Sequence, residues 1–336
     1  MEQAVLQAGV AFYLGTIIYL ANLEAATGRQ HPLLRPMLYS VTLLVLLYGL
    51  LLLTAPLPDL PPLDPTAAGA GVAVAVIGSF TGILFIRSDR SRAALRRLLG
   101  ERAGYDPASP VHTTAIVLML AFVAITLVDF VASGGIGGMA TTIEETQLRG
   151  IDSLIIVQTI LFSLAALLGV GVAIRRDFRQ ALARLGLRVP TPQDLNWGIG
   201  VGLLAYLGVI ALTIVWMLLV TPEQFAEQTA ASEQIARSFD SIPVALVLSL
   251  VIAFGEEIFF RGAIQPIFGL WFTSIFFVAL HTQYALTPAT VAILLASLAF
   301  GWLRQRYSTT AAIAAHFVYN FVQLALAILV GSSLTP

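Results

Sequence analysis

Cysteine is absent from the 336 residues, so neither a disulfide nor a thiolate metal site can form, and the redox compartment stays open. Charge is scarce. Only 11% of residues are Asp, Glu, Lys or Arg, against about 25% in a water-soluble globular domain. A chain of this length with so few charges cannot cover a water-facing surface, and lipid must be the solvent for most of it. No sign of charge dominates. The formal net charge is −1, which gives no basis for a nucleic-acid partner or a polybasic tail. The first residues, MEQAVLQAGVAFYLG, carry no Lys or Arg before the apolar run, so they read as a first membrane span rather than a cleaved signal peptide.

What is present is apolar. Hydrophobic residues make up 58% of the chain and the mean hydropathy is +0.87. Runs approaching the ~20 residues a bilayer core requires fall near 4–21, 33–54, 67–87, 111–132, 151–174, 197–220, 242–268 and 309–331. Shorter runs lie near 270–281 and 289–303. They are too uniformly apolar for barrel strands, so the expected fold is an all-α, polytopic transmembrane bundle of about ten elements. The short run before His281 is expected to be broken. Arginines fix the orientation. Arg29 and Arg35, the set from Arg87 to Arg102, the set from Arg175 to Arg188, and Arg304 with Arg306 occupy alternate loops. The other loops are acidic or poor in Arg: Asp59 and Asp64, then Glu144, Glu145 and Arg149, then Glu223, Glu227, Glu233, Arg237 and Asp240. By the positive-inside rule this places the N-terminus outside. The charged loop at 175–195, with Pro190 and Pro192, reads as a boundary between an N-terminal membrane region, 1–190, and a second domain, 191–336.

The unusual residues are polar ones at membrane depth. In FGEEIFFRG, Glu256 and Glu257 interrupt an apolar helix. Ionised groups there cost several kcal/mol unless paired or facing a wet cavity. Glu257 and Arg261 are four apart and share a helical face, while Glu256 is turned about 100° away and is left to face a cavity. His281 ends a short apolar arm that begins after Gly269, and Phe277 precedes it by one turn. His316 and Asn320 lie four apart on the last span. Counting from the Arg-rich side at about 1.5 Å per residue, Glu256, His281 and His316 all lie roughly 15–18 Å deep. A carboxylate beside an imidazole can take a proton from water. A second imidazole beside an amide supplies donors for an oxyanion. Together these parts suit water attack on an amide carbonyl.

The motifs Glu256-Glu257-x-x-x-Arg261 (with Gly262 following), Phe277-x-x-x-His281 and His316-x-x-x-Asn320 resemble those of the CAAX-protease and bacteriocin-processing family of intramembrane endopeptidases, also called the ABI family. The resemblance covers about 197–331. It implies a helical bundle with its site opening to the cytosol, and an endopeptidase acting on a prenylated, leader-peptide or membrane-protein substrate in the bilayer, with no nucleic acid involved. It further implies Glu256 as base with His281 helping to activate water, His316 and Asn320 as the oxyanion hole, and Glu257 and Arg261 as structural support. A glutamate mechanism without a cofactor is expected. Zinc held by Glu256, His281 and His316 is the alternative, although H-E-x-x-H is absent. The expected location is the plasma membrane of a prokaryote, with the site on the cytosolic side.

Bland readings exist for each feature. Glu257 with Arg261 can be a structural ion pair, and His281 or His316 alone a packing residue. Carboxylates and histidines in a membrane also make proton relays, so a proton-coupled transporter is the rival class, with a non-catalytic immunity or scaffold protein as a third. The absence of cysteine makes the orientation directly testable. A cysteine replacing Glu223 should react with a membrane-impermeant maleimide on intact cells, whereas one replacing Arg97 should react only after lysis. The reverse pattern would invert the topology.

Overall fold

A computed structural model describes residues 2–54, 65–135, 151–226, 229, 241–282 and 287–334. Its named elements are helices: α1 Glu2–Thr27, α2 Leu34–Thr54, α3 Pro65–Arg87, α4 Asp89–Leu99, α5 Pro110–Ala132, α6 Ile151–Gly169, α7 Phe178–Leu185, α8 Pro192–Met217 and α9 Ile242–Glu257. A π-helical segment, Ile258–Ile264, carries α9 into α10, Gln265–Phe268. Then follow α11 Leu270–Ala279, α12 Pro288–Arg306 and α13 Thr309–Leu334. The protein is thus the all-α membrane bundle its composition predicts. Among the described residues seven helices are long and apolar enough to cross a bilayer: α1, α2, α3, α5, α8, the continuous run Ile242–Phe268, and α13. The remaining expected elements are the shorter apolar stretches Ile155–Gly169 and Leu270–Ala279, together with α12.

Two local features differ from the simplest reading of the sequence. The expected fifth span continues to 174, but α6 stops at Gly169 and the chain turns through Gly171 at φ 84°. The Arg-rich stretch after α3 is not a plain loop. Ser88 caps α4 by accepting a hydrogen bond from the Ser91 amide at 3.2 Å, and Arg96 and Arg97 sit in the helix's last turn, where they favour its negative end.

The chain forms two compact units, each discontinuous in sequence. The first comprises 1–132, 164–184 and 266–272. Inside it α3 packs against α2 and α5 through small residues. A Cβ at Gly49 would stand 2.3 Å from that of Ala75, so only glycine permits this approach of α2 to α3. The turn after α6 is held by Asn22, which donates to the Leu168 carbonyl at 2.9 Å and accepts from Arg175 Nε at 2.8 Å.

The second unit comprises 133–163, 185–265 and 273–336. It contains every residue the sequence nominates for chemistry. Here α8 lies against α13 so closely that a Cβ at Gly202 would meet the Ala315 carbonyl at 2.5 Å. The start of α8 is a capping box. Thr191 Oγ1 accepts from the Asp194 amide and Asp194 accepts in return from the Thr191 amide, at 3.1 and 3.0 Å. Asp194 is fully buried, and accepts also from Arg188 and from Ser308 Oγ at 2.7 Å. The Thr309 amide and hydroxyl donate to the carbonyls of Gly186 and Leu185. These bonds lock the α12–α13 turn to the 185–194 segment, and so set the depth at which α13 presents His316.

Asp194→Ala removes the acceptor shared by Thr191, Arg188 and Ser308 and should destabilise the protein by about 2–4 kcal/mol. A lower thermal midpoint in detergent would show it; a midpoint equal to wild type would mean that this clamp carries no stability.

Candidate active site

The site begins with the helix that carries Glu256 and Glu257. At Ile258 the α-helical ladder widens into π geometry over seven residues. Such wide turns recur where a helix must aim side chains at a site. Directly before it, the two adjacent carboxylates diverge. Glu257 is fully buried, and its Oε2 stands 3.2 Å from Arg261 Nε. The contact is an ion pair rather than an aligned hydrogen bond. Arg261 is itself fully buried. It donates through Nη2 to Ser297 Oγ at 3.1 Å and lies 5.1 Å from the centre of the Phe277 ring. One turn on, Gln265 Nε2 donates to the Gly301 carbonyl at 2.8 Å. The pairs 261–297 and 265–301 advance together, so the π segment and α12 run parallel in fixed register.

Glu257 has a second partner. Its Oε1 accepts from His316 Nδ1 at 2.9 Å. With Arg261 beside it, Glu257 serves as the carboxylate acceptor, so Nδ1 carries the proton in this bond. That turns the other ring nitrogen of His316 toward Glu256, and Nε2 lies 4.0 Å from Glu256 Oε2. The distance exceeds a hydrogen bond and suits an intervening group. Phe300 stacks on the His316 ring at 5.2 Å and fixes its plane.

The third segment arrives by chain reversal. Gly269 adopts φ 82°, and α11 returns along the π segment, with Phe276 and Phe277 against Phe260 at 5.6 and 4.9 Å between ring centres. At ten residues α11 spans about 15 Å, half the thickness of a bilayer core. His281 follows it. Its Nδ1 donates to the Phe277 carbonyl at 2.7 Å, and its ring leans on Phe277 at 4.4 Å. In that tautomer Nε2 is the acceptor. Phe277 also meets His316 edge-on at 6.3 Å, and so touches both imidazoles and the guanidinium.

These segments enclose a cavity of ≈ 380 Å³ lined by Glu256, His281, His316 and Asn320, with Ser297 and Gln323 as further polar lining. Its remaining wall is largely apolar, including Val209, Leu212, Trp216, Ile252 and Phe300. Glu257 and Arg261 do not line it. The structure therefore gathers the four nominated catalytic residues at one cavity and places the two nominated supporting residues behind it. The sequence reading does not single out Ser297 or Gln265, which hold the register. Their signal is the repeated four-residue offset on two helices. It also passes over Gln158 and Thr159 of α6, which line a smaller cavity at Glu256. Among the described residues no three His, Asp or Glu side chains gather closely enough to hold a metal ion, so zinc on Glu256, His281 and His316 draws no support from this geometry.

Fold and site together define an integral membrane protein with a carboxylate–imidazole cluster lining an open cavity. Residues 238–322, about a quarter of the chain, match the family described as "Type II CAAX prenyl endopeptidase Rce1-like". The resemblance carried by the three motifs holds over this segment, which contains all six nominated residues. At the general level the match supports an intramembrane endopeptidase of the CAAX type. A stretch of 44 residues is 52% identical to "Uncharacterized protein YpbD" of Bacillus subtilis (strain 168), covering 13% of this chain and 23% of that protein. No solved structure matches the chain.

Glu257→Gln should leave the Arg261 charge buried without its counter-ion and destabilise the protein by about 3 kcal/mol. Adding Arg261→Met should recover part of the loss, measurable as a double-mutant cycle of melting temperatures. Strict additivity would show that the pair is not coupled.

Proposed function

We propose that the protein hydrolyses peptide bonds of a membrane-associated or lipidated substrate, with Glu256 activating the water. The observation that supports this reading best is the meeting of Glu256, His281, His316 and Asn320, from three separate segments, at one cavity within the bilayer part of the fold. The cavity's largely apolar wall suits a hydrophobic or lipid-bearing chain, and the groups that hydrolysis requires are among its polar lining.

Water bound between Glu256 and His281 gives its proton to the Glu256 carboxylate as its oxygen attacks the carbonyl carbon. The oxyanion that forms is met by the His316 Nε2–H and the Asn320 amide N–H. Glu256 then returns the proton to the departing amine, and the C–N bond breaks. Glu257 fixes the His316 ring through Nδ1, so that the donor toward the cavity is preset. In this step His316 carries a proton on both ring nitrogens, Nδ1–H toward Glu257 and Nε2–H toward the cavity, so that Glu256 is left as an unprotonated carboxylate able to take the water's proton. The reaction runs on the side of the Arg-rich loops, which is the cytosolic side under the positive-inside rule, in the plasma membrane of a prokaryote. Residues 191–336 are the protease domain in this reading, and 1–190 is an N-terminal membrane region to which the mechanism assigns no role. No cofactor takes part.

The proton-coupled transporter is a weaker reading, since among the described residues no second carboxylate–imidazole cluster matches the one at Glu256. The test uses purified protein in liposomes, a farnesylated peptide with a C-terminal CAAX sequence and its unprenylated counterpart, and mass spectrometry of the products. Wild type should cut the farnesylated peptide faster, with or without a strong chelator. Asn320→Ala should lower kcat by about 10²–10³. Turnover abolished by chelator and restored by zinc would replace the glutamate mechanism with a metal one, and proton flux without cleavage would favour the transporter.

A further inference from the structure

The main cavity is not the only space that Glu256 borders. A second cavity of ≈ 90 Å³ is lined by Ile155, Gln158, Thr159 and Phe162 of α6 and by Ile252 and Glu256 of α9. Ile252 and Glu256 line both spaces, so their side chains form the partition. The four α6 residues fall at one helical face, spaced 155, 158, 159 and 162. None of them lies in the segment that matches the family, and none has a role in the mechanism above.

Helix α6 is held at this level by contacts specific to the spot. Thr159 Oγ1 donates to the Val251 carbonyl at 3.1 Å. A Cβ at Gly255 would stand 2.8 Å from Thr159 Cα, so the two backbones meet directly beside Glu256. Phe162 stacks on Phe259 at 4.7 Å and 10°. Gln158, exposed on the outer side of α6, lines the small cavity together with Glu256. It is a polar side chain in the otherwise apolar run IIVQTILF, and makes no hydrogen bond with the described residues. An amide turned to hydrocarbon without a partner costs several kcal/mol. Thr159 and Glu256 are the other polar residues that line the small cavity with it. A space of this size holds a few waters at about 30 Å³ each, and the Gln158 amide, the Thr159 hydroxyl and the Glu256 carboxylate supply the two to four partners a bound water needs.

We propose that the small cavity is a water site and that Gln158 is a positioning residue, holding the Glu256 carboxylate from the α6 side through that water. It rests on the reading of Glu256 as the base. A substrate filling the main cavity would displace water there, while the second site keeps the carboxylate solvated and oriented. The region before the matched segment would then contribute to the site directly.

Two measurements on the full-length protein test this. The first is an experimental structure at a resolution that shows ordered waters. Density bridging the Gln158 amide and the Glu256 carboxylate is expected; a dry cavity or one filled by a lipid chain overturns the proposal, whether or not a substrate has been found. The second compares wild type and Gln158→Met, similar in shape and without the amide, on the farnesylated peptide. A fall of about tenfold in kcat at unchanged KM and melting temperature is expected, the size of one hydrogen bond. Wild-type kcat overturns the proposal. The two readings fail separately: turnover retained by Glu256→Gln would remove the base, whereas turnover lost in Glu256→Gln and intact in Gln158→Met would remove only the water site.

Discussion

The site depends on a buried, shared carboxylate. Glu257 has no exposed surface and serves two partners at once, the Arg261 guanidinium and the His316 imidazole. In a membrane-embedded fold neither charge can turn to water, so the carboxylate and the guanidinium are confined to each other. That confinement joins three elements. Arg261 reaches Ser297 on α12, His316 stands on α13, and both converge on the end of α9. An interaction of this kind adds little net stability over apolar packing, but it fixes which helices meet and at what register. Here the register it fixes is the one that puts an imidazole nitrogen beside Glu256.

Much of this was legible in the sequence. Scarce charge and long apolar runs gave the fold class, because lipid leaves backbone groups no partner outside a helix. The four-residue spacings 257–261, 277–281 and 316–320 placed side chains on common faces, and similar counts from Gly269 and Arg306 placed three segments at similar depth. Periodicity could show that Glu257 and Arg261 share a face. It could not show that Glu257 also takes His316, because that contact crosses between helices 59 residues apart in the chain. The π segment was likewise hidden, since nothing in IFFRGAI distinguishes a wide turn from an α-helical one. Gln158 escaped notice for a related reason: a single polar residue in an apolar span acquires meaning only from the helix it faces.

The division of labour between the carboxylates follows from the same physics. A base must reach the reacting water and change charge during the cycle. A carboxylate held by a buried guanidinium is poorly suited to that, and Glu257 is walled off from the cavity. Glu256 borders space on two sides and has no guanidinium against it. The two residues are chemically identical and adjacent, and their roles separate because successive helical positions point about 100° apart.

The most direct measurement of the central claim is the turnover of Glu256→Gln, which keeps shape and hydrogen-bonding capacity but cannot accept the water's proton. In liposomes with the farnesylated peptide, and with a melting temperature equal to wild type, the variant should form no product above background while the wild type cleaves. Product formed at the wild-type rate would contradict the account and leave Glu256 as a packing residue beside a cavity.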